Sequence, residues 1–287
     1  MKNNSTLGKI FLYVFLAAIV LLFVVPILWT LLLSLKTADD ILAMPPKLFF
    51  APTLANYASV ILGTSSDKTA TFAPTNTAFP YNLFNSAVIA LSSTLLALLL
   101  GVPAAYCFSK YRFKRRQQLS SFILSTRFVP PVAVVLPFFF LFKIFRLLDT
   151  HACLIIMYTF MDLALIIWML KNFFDEVPTE MIEAARIDGC ANTRTLFTVA
   201  LPMVQPGVAA AAILCMLFSW NEFLFAVLLT GKVAKTAPVA VYSFVTFREI
   251  VWGNLTAGGI ITTIPVLLFI LLVQKNLVRG LTAGAVK

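Results

Sequence analysis

Charge is scarce in this chain. Only 12% of its 287 residues are Asp, Glu, Lys or Arg and 60% are apolar, whereas soluble domains carry about 25% charge. A water-exposed surface needs charge in proportion to its area, so a cytosolic enzyme and a secreted globular domain are both excluded. Histidine is nearly missing. His151 stands alone, which gives no support to a histidine-bound zinc site or a Ser-His-Asp triad. It reads as a solvated loop residue beside Asp149. The four cysteines, Cys107, Cys153, Cys190 and Cys215, lack any C-x-x-C spacing and read as small apolar or loop residues. Acidic residues number 12 against 22 basic ones, a formal net charge of +10. On a soluble chain that excess would suggest nucleic acid. Here the basic residues lie between long apolar runs, where they anchor and orient helices. The chain is an integral membrane protein.

A spanning helix needs about 20 mostly apolar residues. Six stretches qualify: Ile10–Leu35, Leu83–Phe108, Leu119–Leu141, Cys153–Leu170, Met203–Leu229 and Gly258–Gln274. The first is too long for a signal-peptide core. The third contains Arg127 and Pro130, Pro131 and Pro137; the fourth contains Asp162; the fifth contains Asn221 and Glu222. Six spans place both termini on one side. With the N-terminus inside, 13 Lys and Arg lie on the inner side and eight on the outer. The cluster Lys110, Arg112, Lys114, Arg115 and Arg116 lies in a short loop, where the positive-inside rule weighs most, so the expected termini are cytoplasmic. Two divisions follow. Residues 1–82 form the N-terminal end, the first helix and a long proline-containing outer loop, and residues 83–287 form a core of five helices. A second outer loop, 231–257, carries Val, Tyr, Phe and Trp and is expected to pack on something. Gly63-Thr-Ser-Ser-Asp-Lys68-Thr69 has a partial likeness to a phosphate loop but lacks the second glycine and is one residue short.

The inner loop, 171–202, is the most informative stretch. In Pro178-Thr-Glu-Met-Ile-Glu-Ala-Ala-Arg-Ile-Asp-Gly189, Thr179 suits an N-cap, and Glu180 and Glu183 favour the positive end of a helix dipole. Gly189 can take the left-handed conformation that stops the helix, and Asn192 can cap a second helix running to Leu201-Pro202. Ala184 and Ala185 leave a face with little side chain, so another surface can approach. An amphipathic connector lying on the lipid surface fits the same physics.

The residues carry a family likeness here. Glu183-Ala184-Ala185, three residues, Gly189, nine residues, then Val199-x-Leu201-Pro202 resembles the EAA loop of ABC-importer permeases, with Val199 where that family usually has Ile. Ser219-Trp-Asn-Glu-Phe-Leu224, Leu277–Lys287, Ser125-Thr-Arg-Phe-Val-Pro-Pro131 and Leu147-Leu-Asp-Thr150 resemble the carbohydrate branch, of the maltose-permease second-subunit type. The likeness covers essentially the whole chain. It implies an all-α, six-span, type I ABC importer permease fold in the bacterial inner membrane, and a transport subunit rather than an enzyme. The implied partners are a homologous permease subunit, two ATPase subunits and an extracytoplasmic solute-binding protein. No cofactor would be bound by this chain, since ATP-Mg would be used on the ATPase subunits. The resemblance assigns coupling to the ATPase to Glu183, Ala184, Ala185, Gly189, Leu201 and Pro202, and contact with the binding protein to loop 231–257.

Ionisable groups inside spans are costly and tend to face a bundle interior or a water-filled cavity. Arg127, Asp162, Asn221 and Glu222 are therefore candidates for a polar path, with Tyr158, Trp168 and Trp220 as aromatic faces for a hydroxylated solute. The other reading is an interhelical clamp, with Arg127 paired to Asp162 or Glu222, or with Arg127 snorkelling. Rival functions stay open at this level. The EAA loop alone does not separate sugars and polyols from amino acids or phosphate. A membrane-embedded enzyme for lipid-linked substrates would call for acidic or histidine clusters at one membrane face, which the sequence does not show.

Overall fold

The computed structural model describes residues 6–63, 78–247 and 249–283, with side chains between Gly8 and Leu271. The phosphate-loop likeness beyond Gly63, Arg248, and the side chains of Leu277–Lys287 lie outside the described residues. In chain order the helices are α1 (Thr6–Ser34), α2 (Ala38–Leu42), α3 (Ala55–Leu62), α4 (Phe79–Lys110), α5 (Arg116–Ser125), α6 (Pro131–Ile144) and α7 (His151–Glu176). They continue as α8 (Thr179–Ile187), α9 (Asn192–Thr195), α10 (Leu201–Met203), α11 (Gln205–Asn221), α12 (Leu224–Leu229), α13 (Ala237–Tyr242) and α14 (Trp252–Ala283). A 3₁₀ turn, Thr126–Phe128, follows α5, and a π-helical turn, Leu196–Ala200, joins α9 to α10. Among the described residues the only β pairing is the bridge between Val245 and Ile250.

Among the described residues four helices are long and apolar enough to cross a bilayer, and the crossings rise to six if each of two bent pairs is counted as one. The first bent pair corrects the straight third span expected over Leu119–Leu141. Helical chain from Arg116 to Phe128 and α6 meet at 94°. Each proline disfavours the helical conformation in the residue before it. Val129 (ψ 126°) and Pro130 (ψ 128°) are accordingly not helical, and Pro131 then opens α6, where its missing N–H costs nothing. The expected fifth span, Met203–Leu229, is also interrupted. Its chain turns by 83° at Val204, and α11 stops at Asn221 because Glu222 is extended (ψ 129°).

The chain forms two compact units. The first comprises Met1–Phe79 and Ala240–Thr263. Its α1 is apolar on all sides and exposed from Gly8 to Trp29, as a lipid-facing helix requires, with Ser34 buried at its end. Asn56 closes the C-terminal end of α1 by donating its amide hydrogens to the carbonyls of Ser34 (2.9 Å) and Lys36 (2.8 Å), which the helix leaves unpaired. Val60, Phe79, Ala240, Phe244 and Ala257 form the apolar core of this unit.

The second unit comprises Pro80–Val239 and Ile264–Lys287 and contains two apolar clusters. In one, Val102, Tyr106, Ile166, Leu170 and Phe174 of the long helices pack with Ile182 of α8 and Leu196 of the π turn. Helices α4 and α7 approach closely here, since a Cβ on Gly101 would collide with Ile166. In the other, Ile89, Leu154, Met157, Tyr158, Phe225 and Leu229 pack together, drawing α12 onto α7.

Candidate functional site

The candidate polar residues Arg127, Asp162, Asn221 and Glu222 lie at or near the two breaks. Asp162 is 3% exposed and accepts a hydrogen bond from the Ser219 hydroxyl at 2.9 Å. Ser93 of α4 donates in turn to Ser219 at 3.2 Å, and Thr159 donates to the Ser93 carbonyl at 3.3 Å. Three helices thus meet through one chain of hydroxyls ending on a carboxylate.

Glu222 sits in the gap between α11 and α12. One carboxylate oxygen accepts the N–H of Phe225 (3.0 Å), and the other accepts the N–H of Ala226 (3.1 Å) and the Tyr158 hydroxyl (2.9 Å). The break therefore exposes N–H groups that the extended residue itself satisfies, in the manner of a side-chain cap. Asn221, beside it, is exposed and, among the described residues, donates only to the Leu217 carbonyl of its own helix, at 2.8 Å. Arg127 is exposed in the turn before the first break. It donates to the Met161 carbonyl at 3.1 Å, and its guanidinium lies 4.9 Å from the centre of the Phe218 ring. The expected clamp is corrected: among the described residues, neither Asp162 nor Glu222 is within ion-pair distance of Arg127. Of the expected aromatic faces, Tyr158 and Trp220 are buried, and Trp168 is 45% exposed. Ser93, Ser219 and Phe218 were not singled out for the site; serines and a phenylalanine inside apolar runs give no signal until their distant partners are known.

The inner loop folds as helix, turn and helix. The turn after α8 is a Schellman arrangement. The Cys190 N–H donates to the Ala185 carbonyl and the Gly189 N–H to the Arg186 carbonyl, both at 3.0 Å, with Gly189 at φ +81°. The caps differ by one residue from expectation. Pro178 precedes α8, with Thr179 as its first residue, and Ala191 rather than Asn192 precedes α9. Pro is favoured at such a junction because φ is fixed where the helix needs no N–H. The two alanines also part company: Glu183 and Ala184 are exposed, but Ala185 is 8% exposed and faces its own chain. Pro202 lacks the N–H that would reach back four residues. The preceding π turn accommodates it, with the Leu201 N–H donating to the Leu196 carbonyl. Leu201 packs against the cluster containing Ile182, and Pro202 is exposed.

At the other end of this unit, Asp149 (φ +56°) grips the start of loop 231–257. Its carboxylate accepts the N–H groups of Gly231 (2.8 Å), Lys232 (3.0 Å), Val233 (3.1 Å) and Ala234 (3.1 Å). Burial alone would raise its pKa, but the backbone N–H groups together outweigh that and hold it below the ordinary carboxylate value. Asn85 donates to the carbonyls of Val233 and Lys235, and its own carbonyl lies 2.7 Å from His151 Nε2. His151 is thus a half-buried helix residue in this network and not a solvated loop residue.

A helical, multi-pass membrane protein with polar breaks in two apolar segments, and with a helix–turn–helix packed on its long helices, has the build of a transport subunit. The family model for the binding-protein-dependent transport system inner membrane component matches residues 97–283, and the chain belongs to that family. It is 34% identical over 279 residues to the sulfoquinovosyl glycerol transport system permease protein SmoH of Agrobacterium fabrum, covering 95% of this chain and 93% of that one. It is 35% identical over 269 residues to the trehalose transport system permease protein SugB of Mycobacterium tuberculosis, covering 91% and 92%. Against the trehalose/maltose transport system permease protein MalG of Thermococcus litoralis it is 35% identical over 277 residues, covering 95% and 94%. The crystal structure of a bacterial ABC transporter involved in the import of the acidic polysaccharide alginate superposes with a TM-score of 0.73 at 21% identity, covering 96% of this chain and 98% of that one. The chain is an all-α permease component of the inner membrane, a transport subunit and not an enzyme. Transport of this kind depends on a solute-binding protein, a partner permease and an ATPase.

Proposed function

We propose that this chain is one half of a permease pair that imports a sugar or a polyol, driven by two ATPase subunits that use ATP-Mg and supplied by an extracytoplasmic solute-binding protein. Relatives named for trehalose, trehalose/maltose and sulfoquinovosyl glycerol support that substrate class. One observation supports a path at this point. Arg127, just ahead of the break at Val129–Pro130, lies over Phe218, three residues before the break at Asn221–Glu222. Irregular backbone at membrane depth is tolerated only where protein buries it or where it lines a water-filled cavity. Arg127 and Asn221, both exposed, offer donors to a hydroxylated solute, while Asp162 and Glu222 hold the shape behind them.

In this reading residues 83–287 are the permease core, with both termini, Lys110–Arg116 and residues 171–202 in the cytoplasm. Glu183 and Ala184 meet the ATPase, and Ala185, Gly189, Leu201 and Pro202 keep the docking element rigid. Ile182 and Leu196, buried among side chains of α4 and α7, would pass its displacement to the spans. The test is to purify the complex with its companion subunits and measure binding-protein-dependent ATPase activity over a panel of sugars and polyols. Stimulation by members of that panel supports the proposal. Stimulation confined to amino acids or phosphate would assign the same fold to another solute. Single cysteines at positions 114 and 65, in a cysteine-free background, should label from opposite sides; labelling from one side overturns the orientation.

A further inference from the structure

A cleft of about 890 Å³ opens between α5 with the chain leading into it and the end of α7. Its polar wall includes Arg115, Arg116, Lys171, Gln118 and Asn172, and Trp168 stands beside them. The charge balance is one-sided. Among the described residues, Asp175 is the only carboxylate within ion-pair distance of these cations, shared by Lys171 (2.5 Å) and Arg116 (4.0 Å). Arg115 has no side-chain partner among the described residues and stands at the N-terminal end of α5 with φ +62°, in the left-handed region that side chains avoid. The side chains of Gln118 and Asn172 likewise make no hydrogen bond among the described residues. The Arg116 N–H already donates to the Phe113 carbonyl (3.3 Å), but the first turn of α5 contains no acidic residue, so its dipole is open to an anion. Arg115, Arg116, Lys171, Gln118 and Asn172 belong neither to the proposed path nor to the docking element.

We infer that this cleft binds a phosphate group at the cytoplasmic face of the membrane, the phosphate of an anionic phospholipid headgroup. The inference rests on the orientation proposed above. Phosphate matches a site with guanidinium and ammonium donors, free amides and a helix N-terminus. Trp168, 45% exposed, stands in the wall beside Lys171 and Asn172, and indole rings favour the headgroup level. Phe113 and Leu124 add apolar walls that a lipid's glycerol and upper chains would cover and a small ion would not. The five basic residues between Lys110 and Arg116 supply the long-range attraction to an anionic surface.

The experiment places a bimane fluorophore on Ser121→Cys, in the cleft wall, after replacement of the four native cysteines. The assembled complex is put into lipid nanodiscs of phosphatidylcholine with either brominated phosphatidylglycerol or equally brominated phosphatidylcholine. Greater quenching by the phosphatidylglycerol is expected. Arg115→Gln should raise the phosphatidylglycerol fraction needed for half-quenching roughly fivefold, while Arg115→Lys stays close to the parent. Inorganic phosphate, compared with chloride at equal ionic strength, separates the sources. Relief of the excess quenching assigns the cleft to free phosphate, and persistence assigns it to the headgroup; either outcome retains the phosphate site. Equal quenching by both lipids, an unchanged excess in Arg115→Gln, or disulfide trapping of unlabelled Ser121→Cys by the companion permease overturns the inference. ATPase stimulation by loaded binding protein, read on the same particles, tests the permease reading separately.

Discussion

Ser219 on α11 donates its hydroxyl hydrogen to the Asp162 carboxylate on α7 across 2.9 Å, and that contact holds a 3%-exposed acid between two spans. A buried carboxylate is tolerated only when its oxygens find donors. Replacing Asp162 with Ala should strand the Ser219 hydroxyl and lower stability by about 1–3 kcal/mol. Asp162→Asn, which keeps an acceptor oxygen, should melt between that variant and the parent. Thermal unfolding of the purified complex measures the order; three identical melting curves would show that the contact holds nothing.

Around the second break, Asn221 and Glu222 should separate in their effects although they are neighbours. Glu222→Ala removes the acceptor for two backbone N–H groups and for Tyr158, a loss of cap type worth about 0.5–2 kcal/mol, so both melting temperature and uptake should fall. Tyr158→Phe removes one of those bonds and should cost less. Among the described residues the Asn221 side chain is bonded only within its own helix, so Asn221→Ala should leave the melting temperature alone and lower uptake. Normal uptake in Asn221→Ala removes that residue from the path.

How much of this was legible in the sequence depended on the range of the interaction. Apolar runs place helices because lipid contact is a property of each segment alone, and the Schellman turn at Gly189 is local enough to read from Gly189 itself. The break at Val129–Pro131 was also written locally, in two adjacent prolines, yet the surrounding apolar run concealed it as part of a single span. Glu222 was different. Its role as a cap depends on Phe225 and Ala226 leaving the helix and on Tyr158, 64 positions away, turning toward it. The partner of Asp162 is a serine 57 positions distant, where charge pairing pointed to Arg127. Ala185 was assigned to an open face together with Ala184; only the packing of α8 on α9 and the π turn decides that it faces inward.

At the opposite end of the same unit, Asp149 should make stability depend on acidity. Its folded pKa lies below its unfolded value of about 3.9. The sign follows from proton linkage: the ionised carboxylate stabilises the fold above that unfolded value, and the contribution disappears as pH falls through the folded pKa. Asp149→Asn should therefore melt lower than the parent at neutral pH, with the two curves converging as pH falls through the folded pKa. A difference between them that stayed constant across the range would place the effect in shape rather than in charge.

The last prediction concerns the turn at Gly189. Its φ of +81° places the residue in the left-handed region, and a Cβ built there meets nothing within 4 Å. The cost of a side chain is thus conformational and not a collision, which gives the substitutions a defined order. Asn enters this region readily and should be nearly neutral. Ala should cost about 1–2 kcal/mol, and Val, branched at Cβ, more. What is lost is the Schellman pair that fixes the end of α8 against the chain leading into α9, and with it, on the coupling role proposed above, the rigidity a docking helix needs to convert ATPase closure into movement of the spans. All three variants should still insert in the membrane, since no spanning segment changes. Co-purification of the ATPase and its stimulation by loaded binding protein should fall in the order Asn, Ala, Val. A Val variant that couples like the parent would show that the turn is a passive connector, and that coupling runs through some other part of the chain.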